Sequence, residues 1–387
     1  MQIPVLAVNR VGFLGGVERL IVNGAVGVRE RGFRTTLTCP APGTLADAAA
    51  AQGIDVIPAP IDRSKATLSP RKWFLLRNAL KVGSRAITGI ARETGAALLH
   101  AHHPIGALYA LDAARSLGLP LILHVHETLP LAPLYGLVAR HVIPHCALLV
   151  CVSEAGRALT KRLGVPDARV RLIYNGVDRS FLAPPAPVPE LARPGPHIGI
   201  FGVLEPRKGQ EDFIHAATRL KERHPGAQFW IIGALSYADN GPYVKRLRKV
   251  AAEGGIADRV HFAGHRDNAA DWMAGVDLVV LASRERESLP TVLIEAGILG
   301  RPMVATEVGG VREIVCDGQT GLVVPPSDPA ALADAMHRIL GPDGTVMAER
   351  ARTDAHRRFT PERFADELAA LYHFVLTQPR TAMENAA

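Results

Sequence analysis

Short runs rich in Val, Ile and Leu alternate with longer amphipathic stretches along almost the whole chain, which restricts it to an α/β architecture. Strands are expected at 3–8, 35–39, 54–57, 97–101, 121–125 and 147–152. Helical patterns over 16–31, 44–52, 70–93, 105–117 and 153–164 separate most of them. A second series starts at His197-Ile-Gly-Ile-Phe-Gly. It continues through Gln228-Phe-Trp-Ile-Ile-Gly, Arg259-Val-His-Phe-Ala-Gly, Asp277-Leu-Val-Val-Leu-Ala and Pro302-Met-Val-Ala-Thr. Strands that are apolar throughout are covered on both faces, so the sheets are expected to be parallel with helical crossovers. The proline-dense stretch 183–196 lies between the two series and reads as a linker. At 387 residues the chain exceeds the usual single core. Two doubly wound domains follow, 1–182 and 197–360, with ligands expected outside the carboxyl ends of their strands.

Composition narrows the function classes. No apolar run reaches the roughly 18–20 residues needed to span a bilayer. The opening Met1-Gln-Ile-Pro-Val-Leu-Ala-Val-Asn reads as a first strand, since a signal peptide would need a basic start. Cys39, Cys146, Cys151 and Cys316 form no C-x-x-C pair and read as small core residues in a reducing, cytoplasmic compartment. The net charge of +7 is uneven: residues 1–190 hold 21 Lys+Arg against 12 Asp+Glu, and the remainder 23 against 25. Only the first domain is therefore expected to face an anionic partner, and nothing points to nucleic acid.

The chemistry concentrates at strand ends. Glu287 and Glu295 flank a loop-to-helix junction in Glu287-Ser-Leu-Pro-Thr-Val-Leu-Ile-Glu295. There Ser288 suits an N-cap, Pro290 the first helical turn, and the N–H groups between, including that of Leu289, an anion site. Gly309 and Gly310 follow the next strand and offer backbone amides. Arg207 and Lys208, at the turn after the strand 197–202, can neutralise a diphosphate, with Gly209 opening the helix. Gly12, Gly15 and Gly16 follow the first strand and permit close approach of a phosphate to a helix N-terminus. Each feature also has a plainer explanation: a charged loop, a solvated basic turn, a glycine-rich turn.

His124 and His126 share one face of their strand. His126 is expected to contact a sugar hydroxyl, and His100 and His124 to be structural. With His102 and His103 they could form a metal cluster, but no orienting carboxylate spacing accompanies them, and no metal is expected. On the helix over 70–93, Arg77, Lys81 and Arg85 recur at i, i+4 and i+8 near Trp73. That pattern fits a membrane-surface element or a solvated helix face.

In this order these residues resemble the retaining GT-B glycosyltransferases of the "glycosyl transferases group 1" family. The likeness runs through Gly15-Gly16-Val-Glu18, His126-Glu127, Val152-Ser153-Glu154, Tyr174-Asn175-Gly176-Val177-Asp178 and Glu205-Pro-Arg207-Lys208-Gly209. It continues through Glu287-x7-Glu295, Gly309-Gly310-x-x-Glu313 and Gly318-x-Thr320-Gly321. The resemblance implies two Rossmann-like domains facing across a cleft. The nucleotide-sugar donor would sit on the C-terminal domain and a glycan, lipid-linked or small-molecule acceptor on the N-terminal one, with 361–378 crossing back. It implies ribose contact by Glu295, donor-sugar contact by Glu287 and His126, diphosphate stabilisation by Lys208 and Arg207, phosphate approach at Gly15 and Gly16, and no cofactor. One departure is Gly202-Val203-Leu204, where the family often has Gly-Arg-Leu. It keeps open a non-catalytic sugar-nucleotide-binding subunit, while an epimerase is a separate and weaker alternative because the motifs match the transferases better. The cysteines lead to a cytoplasmic location, and the basic helix to a peripheral position on the inner face of a membrane.

Overall fold

The computed structural model describes residues 2–61, 70–126, 133–235, 241–285 and 287–378, with side chains throughout except at 70–76 and 133–135. The chain divides into two compact units, one holding Met1–Gly176 and the stretch from Pro361 onward, the other Val177–Thr360.

In the first unit, β1 (Ile3–Asn9), β2 (Phe33–Thr38), β3 (Asp55–Val56), β4 (Leu98–His102), β5 (Leu121–Val125), β6 (Leu148–Cys151) and β7 (Val170–Leu172) form one sheet. Its order is β3-β2-β1-β4-β5-β6-β7, and every pairing is parallel. Helices α1 (Gly16–Arg29), α2 (Thr44–Ala51), α3 (Pro70–Glu93), α4 (Pro104–Leu117), α5 (Pro133–Val142) and α6 (Glu154–Arg162) make the crossovers. Even-numbered β1 residues Leu6 and Val8 enter a core with Ile87 of α3 and Ala107 and Ala110 of α4. Val5 and Ala7 face the other way. Both faces of the strand are thus covered, as continuous apolarity requires.

The C-terminal helix α13 (Pro361–Thr377) packs on α1 and on that second face. Gly24 and Gly27 leave room for it: a Cβ at Gly27 would crowd Ala365, and one at Gly24 would lie 3.1 Å from Phe364. Phe364, Leu368, Leu371, Tyr372 and Val375 are buried there, each contributing about 2 kcal/mol of transfer free energy.

The second unit holds β8 (His197–Phe201), β9 (Gln228–Ile232), β10 (Val260–Gly264), β11 (Leu278–Leu281), β12 (Met303–Thr306) and β13 (Leu322–Val324). They form a parallel sheet of order β10-β9-β8-β11-β12-β13. Helices α7 (Gln210–Leu220), α8 (Pro242–Glu253), α9 (Ala269–Gly275), α10 (Thr291–Ile298), α11 (Pro329–Ile339) and α12 (Pro342–Arg358) accompany it.

The stretch 183–196, read from its prolines as a linker, belongs to this unit. Val188 and Leu191 pack against Trp230 and Trp272, and the Ala186 N–H donates to Asp271 at 2.8 Å. Proline density reported stiffness there, while the apolar residues between the prolines decided where the segment lies. Among the described residues, no helix is long and apolar enough to cross a membrane.

Candidate active site

In the second sheet the strand order reverses between β8 and β11, which pair directly, and such a reversal is where open α/β sheets bind ligands. Those loops are stitched together. Gly209 caps α7 at φ +69°, and a Cβ there would collide with the Ala282 carbonyl. Only glycine combines that dihedral with that approach. The Arg284 N–H donates to the Arg207 carbonyl at 2.8 Å. The Arg284 guanidinium clasps Asp212, in the first turn of α7, through two bonds of 2.7 Å.

Held in this frame, Lys208 Nζ donates to Glu287 Oε1 at 2.6 Å, and Ser283 Oγ donates to the same oxygen at 2.7 Å. The Glu287 side chain is only 9% exposed. A carboxylate at that depth is tolerable because an ammonium and a hydroxyl meet it. Oε2 makes no bond to any other described residue. Ser283 is itself fixed, since its carbonyl accepts from Thr306 Oγ1 at 2.5 Å. The arrangement presents one carboxylate oxygen and one cation at the sheet's switch point.

Ser288 and Leu289 are buried beside Glu287. The helix starts later than its sequence suggested: Pro290, not Ser288, is the N-cap and Thr291 the first helical residue. A residue preceding proline is disfavoured in the helical region, which keeps Leu289 out of the helix and delays the start. Glu295 therefore lies in the second turn of α10, half-buried. Gly309, at φ +52°, and Gly310 lie against the Glu287 backbone. A Cβ on Gly309 would strike the Glu287 carbonyl, and the Gly310 N–H donates to that oxygen at 3.3 Å. Arg207, expected to meet phosphate beside Lys208, directs Nε to Glu205 Oε2 at 2.6 Å.

In the first sheet the reversal falls between β1 and β4, where Asn9 is paired with His102. Gly15 caps α1, and its N–H donates to Glu18 Oε2 at 3.2 Å. Asn9 Nδ2 reaches Glu18 Oε1 at 3.4 Å. Burial raises the Glu18 carboxyl above its ordinary 4.5, against the lowering effect of these bonds. A Cβ on Gly16 would meet open space.

Beside them runs a ladder of imidazoles from β4 and β5. Tyr372 of α13 lies 2.7 Å from His100 Nδ1, and His100 Nε2 lies 3.2 Å from His124 Nδ1. His102 Nδ1 lies 2.9 Å from His126 Nε2, and the His124 and His126 rings stack at 4.0 Å. Among the described residues, His124 Nε2 and His126 Nδ1 are buried without a partner. Burial lowers His100 and His103 to about 3, with Arg10 adding to the effect on His103. Burial first, then neighbouring histidines, hold His102, His124 and His126 well below 6.5. All five rings are neutral at physiological pH. His103 also has φ +73°, an uncommon backbone state for a non-glycine residue, at the start of α4.

Donor nitrogens of His100, His102 and His124 lie within 4.8 Å of one another, so by distance they could hold a cation. No carboxylate or thiolate belongs to the group, and hydrogen-bond contacts within the ladder already engage nitrogens of all three rings.

Arg77, Lys81 and Arg85 are exposed on α3. Trp73 is in α3, with its side chain outside the described residues. Glu127 also lies outside them.

Two family models match this chain: Glycosyltransferase Family 4 over residues 14–181 and Glycosyl transferases group 1 over 195–341. Alpha-D-kanosaminyltransferase of Streptomyces kanamyceticus is 31% identical over 310 residues, covering 73% of this chain and 78% of that protein. The chain belongs to the group 1 glycosyltransferases. D-inositol 3-phosphate glycosyltransferase of Frankia alni is 31% identical over 268 residues, 63% of this chain and 65% of the relative. Among solved structures, Anabaena HepE, crystallised with UDP and glucose, superposes with a TM-score of 0.82 at 22% identity, covering 95% of this chain and 99% of that one. The fold of this group 1 glycosyltransferase is GT-B.

Sequence reasoning missed Ser283, His102 as the partner of His126, and the Arg284–Asp212 clasp. Ser283 stands four residues before Glu287, and that spacing was its only local signal.

Proposed function

We propose that this glycosyltransferase moves a hexose-type sugar, with retention of configuration, from a nucleoside-diphosphate sugar bound by the second unit to an acceptor bound by the first. The observation that carries this reading is the Lys208–Glu287–Ser283 cluster at the β8/β11 switch point. An ammonium there can stabilise the departing diphosphate, and a carboxylate with one uncommitted oxygen can accept from a donor-sugar hydroxyl. Glu295 would hold the ribose, and Ser288, Leu289, Gly309 and Gly310 would shape the loop that meets the donor. On the first unit, Gly15, Gly16 and His126 are the residues proposed for phosphate and sugar contact.

In the step itself, the bond from the sugar's anomeric carbon to the β-phosphate oxygen breaks. The bond to the acceptor oxygen forms on the same face, and the released phosphate oxygen takes the acceptor's proton. Catalysis is then mainly positioning and charge stabilisation. Lys208 and the amide-rich loop supply the positive potential, and no metal is required in this reading. With Arg207 tied to Glu205, Lys208 carries more of that duty than the sequence suggested. HepE was solved with UDP-glucose, which makes UDP-glucose the first donor to try. A lipid-linked acceptor and a cytoplasmic enzyme resting on an anionic membrane complete the reading.

The test is transfer from a panel of nucleoside-diphosphate sugars to sugar and lipid acceptors, with the product's anomeric configuration read by NMR. An inverted product contradicts the proposed stereochemistry. Release of nucleotide with no acceptor present, giving an isomerised sugar, would favour the epimerase.

A further inference from the structure

Helices α3 and α4 pack side by side, and the groove between them is lined by Arg85, Thr88, Gly89 and Arg92 from α3 and Asp112, Arg115 and Ser116 from α4. Arg85 and Arg92 stand four residues before and three after Gly89, so all three share one helix face. A Cβ on Gly89 would meet nothing within 4 Å, so the groove floor between the two guanidinium groups is open. Neither Arg85 nor Arg92 has an ion-pair partner among the described residues.

Arg115 is matched with a neutral group. Its Nη2 lies 2.6 Å from His145 Nε2, and burial, then Arg115, His141 and Arg169, lower the affinity of His145 for a proton. Three arginines thus line a groove whose lining contains one acid, Asp112. Arg77 and Lys81 continue the charge along α3, and Val82 (49% exposed) and Leu137 of α5 (61% exposed) add apolar surface to the same unit.

We propose that this groove binds the phosphate of an anionic lipid headgroup and thereby seats the first unit on the membrane. Guanidinium groups bond phosphate oxygens in pairs, which fits three arginines around one open floor better than it fits a diffuse solvated face. Val82, about one turn before Arg85 on α3, offers apolar surface suited to the boundary between headgroup and acyl chain. The inference rests on the membrane association proposed above and is independent of the donor chemistry.

The test is co-sedimentation of the full chain with phosphatidylcholine vesicles containing none or about a third phosphatidylglycerol, at low and high salt. The wild type is expected to bind only the anionic vesicles, and less at high salt. Arg85→Glu/Arg92→Glu and Gly89→Glu should each weaken binding at least about tenfold. Lys245→Glu/Arg350→Glu, an equal charge change at exposed positions of the second unit, should leave it nearly unchanged. If the wild type ignores anionic lipid, the membrane association itself fails. If it binds and the groove variants bind as tightly, membrane association stands and the groove proposal is overturned. Circular dichroism and nucleotide binding establish that each variant is folded.

Discussion

The ammonium of Lys208 and the carboxylate of Glu287 meet at 2.6 Å although 79 residues separate them in the chain. They meet because β8 and β11 are neighbours in the sheet, so the loops following them share one edge. Removing the cation should act on the chemistry. Lys208→Ala is expected to lower kcat about 10²–10³-fold. It should also cost about 1–3 kcal/mol of stability, because Glu287 loses a partner at a buried position. Turnover and chemical denaturation measured together check both. Activity within threefold of wild type would remove Lys208 from the mechanism.

Ser283 holds the same Glu287 oxygen and touches nothing proposed as ligand. In Ser283→Ala the carboxylate should turn more freely, lowering kcat about tenfold while nucleotide affinity changes little. Ser283→Thr, which keeps the hydroxyl, should recover part of the rate. Equal loss in both variants would mean that packing, not the hydrogen bond, is what matters there.

His126 offers its Nδ1 edge, which has no partner among the described residues, because Nε2 is engaged by His102. Histidine-selective ¹⁵N NMR should find a single dominant His126 tautomer, and His102→Phe should mix the two. The same variant should raise KM for the sugar nucleotide with little change in affinity for the free nucleoside diphosphate. An unchanged tautomer would show that His102 does not orient the ring.

The buried histidines make the fold acid-labile. Unfolded, each takes up a proton below about 6.5, whereas folded His100 and His103 do so only near 3, and His102, His124 and His126 also lie well below the ordinary value. The unfolded state therefore binds more protons in that window, and stability falls as pH drops. Each histidine contributes about 1.4 kcal/mol per pH unit. Glu18, with its raised carboxyl, works in the opposite direction, one group against five. Urea midpoints should drop markedly between pH 7.5 and 5.5, and less so in His124→Phe. A flat profile would contradict neutral burial.

The sequence made the parallel α/β plan legible because strands such as β1, β6 and β11 read as nearly unbroken apolarity, and it brought Lys208, Glu287 and the glycines into view because each sits at a strand-to-helix turn. Contacts that close only across the fold had no such mark. Tyr372 and His100 are 272 residues apart, and only docking of α13 on the sheet joins them. The short strand Val170–Leu172 and helix Pro133–Val142 escaped notice for a different reason. Three residues carry too little pattern, and a segment opened by proline and interrupted by Gly136 reads as a turn. Val188 and Leu191 were obscured by the prolines around them.

Isothermal titration of the purified protein and of Lys208→Ala with UDP, GDP, ADP and CMP, without added metal, most directly tests the donor site on the second unit. One nucleoside diphosphate should bind the wild type well above the rest and bind the variant at least about tenfold more weakly. Binding of none, or equal binding to both proteins, would contradict a diphosphate held at Lys208.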